Sequence, residues 1–216
     1  MSIKAIFCDF GGVITSSPFD SFNNYESNNN LPKNFIRSVN SQNQKNNAWA
    51  RLEKDIISIE EFNNEFYEES EELGHAIQGK DVLSLLKGNL RPEMIKALRK
   101  IQGKLIQACL TNNIQSLNKE LGEEENISIS QSQDSQIMGL FDFVVESSKI
   151  NIRKPEIGFY EFACKKAQVR PEEVIFLDDL GINLKPARDL GMKTIKVLGS
   201  KDALEELQSF LPFSIS

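Results

Sequence analysis

The chain predicts an α/β fold, a doubly wound parallel sheet with a helical insertion after its first strand. Two observations carry this. Five short apolar runs rich in Ile, Val and Phe alternate with longer helical patterns, and from Ser16 to Leu90 no strand pattern occurs. Alternating strand and helix implies parallel pairing through right-handed crossovers.

The first strand is IKAIFCD, Ile3 to Asp9, which ends on a carboxylate just before Gly11 and Gly12. Three helical patches follow: NNAWARLEKDI, SIEEFNNEFYEESEEL and KDVLSLLKG. Ser58 and Glu61 have the spacing of a capping box for the second. The polar stretches SFNNYESNNN and SVNSQNQKNN read as surface loops or frayed ends. The core resumes near Arg91 with RPEMIKALRKIQG, whose early Pro and terminal Gly mark a helix. Strand KLIQACLT is followed by a second polar loop, GEEENISISQSQDSQ, and then by strand FDFVVES. Helix KPEIGFYEFACKKAQ, strand EVIFLDD, helix INLKPARDLG and strand KTIKVL complete the alternation. The expected partition is a core of residues 1–15 and 91–216 and an insertion of 16–90.

Hydrophobic residues at 40% and charged residues at 26% allow a sizeable core. A net charge of −6 without clustered Lys and Arg argues against a nucleic-acid partner. Cys8, Cys109 and Cys164 lie in apolar contexts and read as buried thiols of a reducing compartment. With no signal peptide and no run of membrane length, the expectation is a soluble, cytoplasmic protein.

Open parallel sheets gather functional groups beyond the carboxyl ends of their strands. Here those ends carry Asp9, then Thr111 with Asn112, then Lys154 in NIRKPEIG, then Asp178 and Asp179. Crowded carboxylates favour a hard divalent cation such as Mg²⁺. Such a cation together with Lys154 can neutralise a phosphoryl group, and Asp9 can attack phosphorus to form an aspartyl phosphate. Thr111 and Asn112 offer donors to phosphoryl oxygens. Singly, each has an ordinary reading: Asp9 as a turn residue, Asp178 and Asp179 as helix caps, Lys154 as a solvated charge. Their order and common placement at strand ends favour chemistry.

These residues resemble the four motifs of the haloacid dehalogenase superfamily. LTNN, RKPEIGFY and FLDDLGINLKPARDLGM are most similar to the group containing the soluble epoxide hydrolase phosphatase domain and acyl-CoA dehydrogenase family member 10. The resemblance implies a Rossmann-like core, a mobile helical cap over the site, and Mg²⁺ held by Asp9, Gly11, Asp178, Asp179 and Asn183. It also implies hydrolysis of a phosphorylated small molecule, with Asp9, Thr111 and Lys154 catalytic. Gly11, Gly12, Asn112, Trp49 and Arg51 are the candidate substrate contacts, although Trp49 with Leu52 and Ile56 also fits an ordinary packed face. His75, the sole histidine, reads as a surface residue.

One position departs from the pattern. Most phosphatases of the superfamily carry a second Asp two residues after the nucleophile, as general acid and base. Gly11 keeps the carbonyl and loses the acid, which normally contributes roughly 10²–10⁴-fold. The expectation is a phosphatase biased toward good leaving groups. The alternatives are a non-catalytic phospho-ligand-binding domain and, against the Asp178-Asp179 pair, a 2-haloacid dehalogenase.

Overall fold

In a computed structural model, residues 2–86, 88–113 and 137–215 are described. Five parallel strands form one sheet in the order β3-β2-β1-β4-β5. They are β1 (Ala5–Cys8), β2 (Ile106–Thr111), β3 (Phe143–Glu146), β4 (Val174–Asp178) and β5 (Lys193–Lys196). All five expected strands are present, and the fold is a Rossmann-like α/β sheet with β1 at its centre.

The strands read as unbroken apolar runs because both sheet faces are covered. Ile6 and Cys8 point to one face, with Cys109, Ile175 and Leu177, under α6 (Pro92–Ile101) and α10 (Ser200–Ser209). Ala5 and Phe7 point to the other, with Leu110 and Phe176, under α8 (Ile157–Ala167) and α9 (Gly181–Asp189). Helix α6 presents Met94, Ala97, Leu98 and Ile101, the stripe of a one-sided helix, and starts on Pro92. All three cysteines are buried free thiols.

Between Pro18 and Leu85 lie α1 (Phe19–Asn28), α2 (Phe35–Ser41), α3 (Ala48–Leu52), α4 (Ile59–Glu72) and α5 (Gly79–Ser84). They share a separate hydrophobic cluster that includes Phe22, Ile36, Leu52, Phe62, Phe66 and Val82. The Ser58–Glu61 capping box at α4 is formed. The two ends of this helical segment meet: Thr15 bridges Leu90 antiparallel, and the Ser16 N–H donates to Asn89 O at 2.7 Å. A Cβ on Gly88 would stand 2.6 Å from Ser16 O, so glycine permits this close approach.

The expectation of loops across SFNNYESNNN and SVNSQNQKNN is corrected, because α1 covers most of the first and α2 enters the second. Asn-rich sequence has weak helix propensity, but burial of Phe22, Ile36 and Val39 overrides it. The buried Glu26 adds order by accepting from the N–H groups of Asn34 and Ile36 at 2.7 and 3.0 Å. Ile56, expected to pack beside Trp49, is 58% exposed, because the chain has left α3 before reaching it. The stretch GEEENISISQSQDSQ lies outside the described residues. No helix among the described residues is long and apolar enough to cross a membrane.

Candidate active site

Register brings the functional residues together. Cys8, the last residue of β1, lies opposite both Cys109 and Leu177, so Asp9, Thr111 and Asp178 all follow this level, at the carboxyl ends of neighbouring strands. Asp9 follows β1, its N–H donating to Leu177 O at 2.9 Å, while Asp178 closes β4. The α7 turn (Ser147–Ile150) then leads from β3 to the segment bearing Lys154.

Lys154 is 1% exposed, and its Nζ lies 2.8 Å from Asp9 Oδ2 and 2.9 Å from Asp178 Oδ2. The Phe10 N–H donates to Asp9 Oδ1 at 2.7 Å. Asn183 Nδ2 donates to both Asp178 oxygens at 3.1 Å, and the Leu180 N–H adds a third bond at 2.8 Å. Behind Asn183, the buried Tyr160 hydroxyl donates to its carbonyl at 2.7 Å. Asp179 accepts from Ser17 Oγ at 2.9 Å.

Carboxylate oxygens of Asp9, Asp178 and Asp179 lie within 4.8 Å of one another. Burial pushes Asp9 up to about 8; Lys154 opposes that, while Asp178 and Asp179 add to it. Burial also raises Asp179, with Asp178 adding to it. Burial would lower Lys154, but the Asp178 and Asp9 carboxylates outweigh it and hold the ammonium above its usual range. One ammonium thus faces three crowded oxygen donors, and this hard donor set fits Mg²⁺.

The glycines differ. A Cβ on Gly12 would collide with the Asp179 carboxylate at 2.2 Å, whereas one on Gly11 meets nothing within 4 Å. Thr111 ends β2 half-buried, and no described residue hydrogen-bonds its hydroxyl. The Asn112 side chain is engaged: Oδ1 accepts from the Lys154 N–H at 2.9 Å, and Nδ2 donates to Lys154 O at 3.0 Å. Trp49 Nε1 donates to Glu53 Oε1 at 2.8 Å, with its ring edge-on to Phe62 and Phe66. Arg51 turns to Glu65 of α4, with Nη1 2.8 Å from both carboxylate oxygens. His75 is exposed, edge-on to Phe35.

Three polar residues at this edge were not anticipated: Ser17, Glu53 and Arg153. Glu53 is buried, and desolvation raises its carboxyl while Arg153 and the Trp49 N–H counter that. In sequence Glu53 is one charge among several in a helical patch, and no local pattern marks it. A surface cavity of about 780 Å³, lined in part by Ile3, Lys104, Lys193 and Phe213, lies at the opposite, amino-terminal edge of the sheet. Cavity size therefore does not locate this site; side-chain chemistry does.

The haloacid dehalogenase-like hydrolase family matches residues 3–191. The chain belongs to the haloacid dehalogenase-like hydrolases. Acyl-CoA dehydrogenase family member 10 of Mus musculus is 32% identical over 221 residues, covering 99% of this chain and 20% of that protein. Bifunctional epoxide hydrolase 2 of Rattus norvegicus is 36% identical over 115 residues, covering 53% of this chain and 20% of that protein. These matches span about a fifth of either relative's length. Among solved structures, a haloacid dehalogenase family enzyme of Bacteroides thetaiotaomicron, in complex with magnesium and inorganic phosphate, shares the fold. It has a TM-score of 0.59 at 21% identity, covering 90% of this hydrolase and 94% of that chain.

Proposed function

We propose that this hydrolase is an Mg²⁺-dependent phosphatase acting on small phosphoric monoesters through an aspartyl phosphate on Asp9. The observation that carries the reading is the single Lys154 ammonium bridging Asp9 and Asp178, with Asp179 in the same cluster. A dehalogenase needs no such crowd of carboxylates, and a binding module needs no strand-end nucleophile.

In this reading the ion is held by Asp9, Asp178, Asp179 and the Gly11 carbonyl, and it supplies positive charge to the phosphoryl oxygens. Asn183 orients Asp178 through its two hydrogen bonds. Lys154 neutralises Asp9 and, with the Thr111 hydroxyl, faces the transferring group. An Asp9 oxygen attacks phosphorus, and the bond to the leaving oxygen breaks. That oxygen takes its proton from solvent, because Gly11 has no acid to give. Water then attacks the acyl phosphate, releasing phosphate and restoring Asp9. Sugar 1-phosphates, acyl phosphates and aryl phosphates, whose better leaving groups lose least without a general acid, are favoured over simple alkyl phosphates.

The helical segment, residues 16–90, serves as a cap that excludes water and meets the leaving group. Three buried thiols support a reducing, cytoplasmic setting. Phosphate release from p-nitrophenyl phosphate, with Mg²⁺ and with EDTA, tests the reading on wild type and Asp9→Asn. Turnover that needs Mg²⁺ and vanishes in the variant is expected. A folded, Mg²⁺-supplied wild type that releases no phosphate from this ester or a sugar 1-phosphate overturns it.

A further inference from the structure

Glu53 is a buried carboxylate to which the proposed chemistry gives no role. It stands at the C-terminal cap of α3, whose start Asn47 fixes by accepting from the Ala50 N–H at 2.8 Å. Its partners come from both parts of the chain. Oε1 accepts from Trp49 of the insertion. Oε2 takes Arg153 Nη2 at 2.6 Å and Asn112 Nδ2 at 3.3 Å, and its carbonyl accepts from Ser147 Oγ at 2.6 Å. Asn112, Ser147 and Arg153 all belong to the α/β core.

These contacts surround one segment. Arg153 also donates to Gln44 O at 3.3 Å, and Lys54 pairs with Glu156 at 2.6 Å. The insertion therefore grips the chain on both sides of Lys154. From within the core, Asn112 engages both the N–H and the C=O of Lys154. The amide that holds the Lys154 backbone is thus the same one that Glu53 holds.

We propose that Glu53 is a positioning residue through which seating of the insertion fixes Lys154 for catalysis, an inference that rests on reading this edge as a phosphatase site. With the insertion seated, Glu53 anchors Arg153 and Asn112 together, and Lys154 Nζ is delivered to Asp9 and Asp178. With it lifted, Arg153 and Asn112 lose their shared acceptor, and the Lys154 segment loses its outer support. Full phosphoryl-transfer geometry then exists only over a closed, water-excluded site. A merely structural ion pair would lower thermal stability and leave the folded enzyme's kcat unchanged.

The test compares wild type, Glu53→Gln, Glu53→Ala and, as control, Glu60→Gln, which removes an exposed carboxylate paired with Lys80. Two quantities are read: kcat and KM for p-nitrophenyl phosphate with Mg²⁺, and Trp49 emission on adding Mg²⁺ with inorganic phosphate. Trp49 is the sole tryptophan and touches Glu53 directly, so its emission reports this contact. The expected result is a roughly 10- to 100-fold fall in kcat for Glu53→Ala with KM changed by no more than about threefold. Glu53→Gln falls less, and Glu60→Gln behaves as wild type. The emission change with phosphate is expected in wild type and lost in Glu53→Ala.

Wild-type kcat in a folded Glu53→Ala protein overturns the proposal, as does a wild-type emission that ignores phosphate. If Glu53→Ala does not fold, Glu53→Gln decides by the same two readouts. A wild type without turnover, whose emission responds to phosphate only when Glu53 is intact, supports the coupling and removes the phosphatase reading.

Discussion

Gly12 and Asp179 are in direct opposition: a Cβ on Gly12 would stand 2.2 Å from the Asp179 carboxylate, where Gly12 already has a φ of +74°. Gly12→Ala must therefore displace a candidate metal ligand and also adopt a left-handed backbone. The backbone term alone costs roughly 1–2 kcal/mol. At about 2–4 °C per kcal/mol for a chain of this size, Tm is expected to fall by several degrees. Mg²⁺-dependent turnover is expected to fall further than stability does. A thermal melt beside a Mg²⁺ titration of activity checks both, and an unchanged Mg²⁺ requirement would count against Asp179 as a ligand.

Gly11 is the opposite case. Its φ is not left-handed, and a Cβ there meets nothing within 4 Å, so a side chain can start from this position without a clash at its Cβ. Gly11→Asp restores a carboxylic acid two residues after the nucleophile. Turnover of a plain alkyl phosphate is expected to rise on the order of 10²-fold, while an aryl phosphate, which needs no proton, changes little. The ratio of the two kcat/KM values, compared between wild type and variant, is the measurement. A ratio that does not move would show that leaving-group protonation is not what this site lacks.

The same pair of glycines marks what sequence could and could not convey. Asp9 and Asp178 were legible because each sits at or just beyond the end of a strand buried on both faces, where an apolar run makes the polar terminus stand out. Lys154, separated from β3 by α7, was legible only through the RKPEIGFY stretch that carries it. Asp9 before two glycines was legible as a turn, but the difference between Gly11 and Gly12 was not. That difference depends on Asp179, which follows the neighbouring strand β4 but lies far along the chain. Ser17 and Glu53 were hidden for the same reason: their partners lie 162 and 59 residues away, for Asp179 and Asn112 respectively. Helices α1 and α2 were missed because their Asn-rich surfaces carry little local signal, and burial of Phe22 and Ile36 supplies what propensity does not.

Lys154 is the one cation within the carboxylate cluster among the described residues, and it is fully enclosed. Removing one partner of such a pair leaves buried charge uncompensated, typically costing about 3–5 kcal/mol. Lys154→Met is therefore expected to be inactive and strongly destabilised. Adding Asp9→Asn should return part of the lost stability and none of the activity, since it removes one of the two buried carboxyls that Lys154 contacts together with the nucleophile. Denaturant melts of the two single variants and the double variant measure this coupling directly. Additive losses in the double variant would mean that Lys154 and Asp9 do not share the energy their 2.8 Å contact implies.

Asp9 also predicts how stability depends on pH. Its carboxyl is pushed up to about 8 in the folded protein by burial, then by Asp178 and Asp179, against the lowering effect of Lys154; its ordinary value is 3.8. A carboxyl raised in this way binds its proton more tightly when folded than when unfolded. Its contribution to stability is complete below about pH 4 and is lost as pH climbs toward 8. Asp179 is shifted in the same direction and adds to the slope. A cation held by these oxygens takes the proton's place, so metal should stabilise the protein more as pH rises. Melting in EDTA and in Mg²⁺ across this range is expected to show a Mg²⁺-induced gain in Tm that grows with pH. Asp9→Asn should flatten the EDTA curve and shrink the gain. An equal gain in mildly acidic and mildly alkaline buffer would mean that Mg²⁺ does not displace a proton from this cluster.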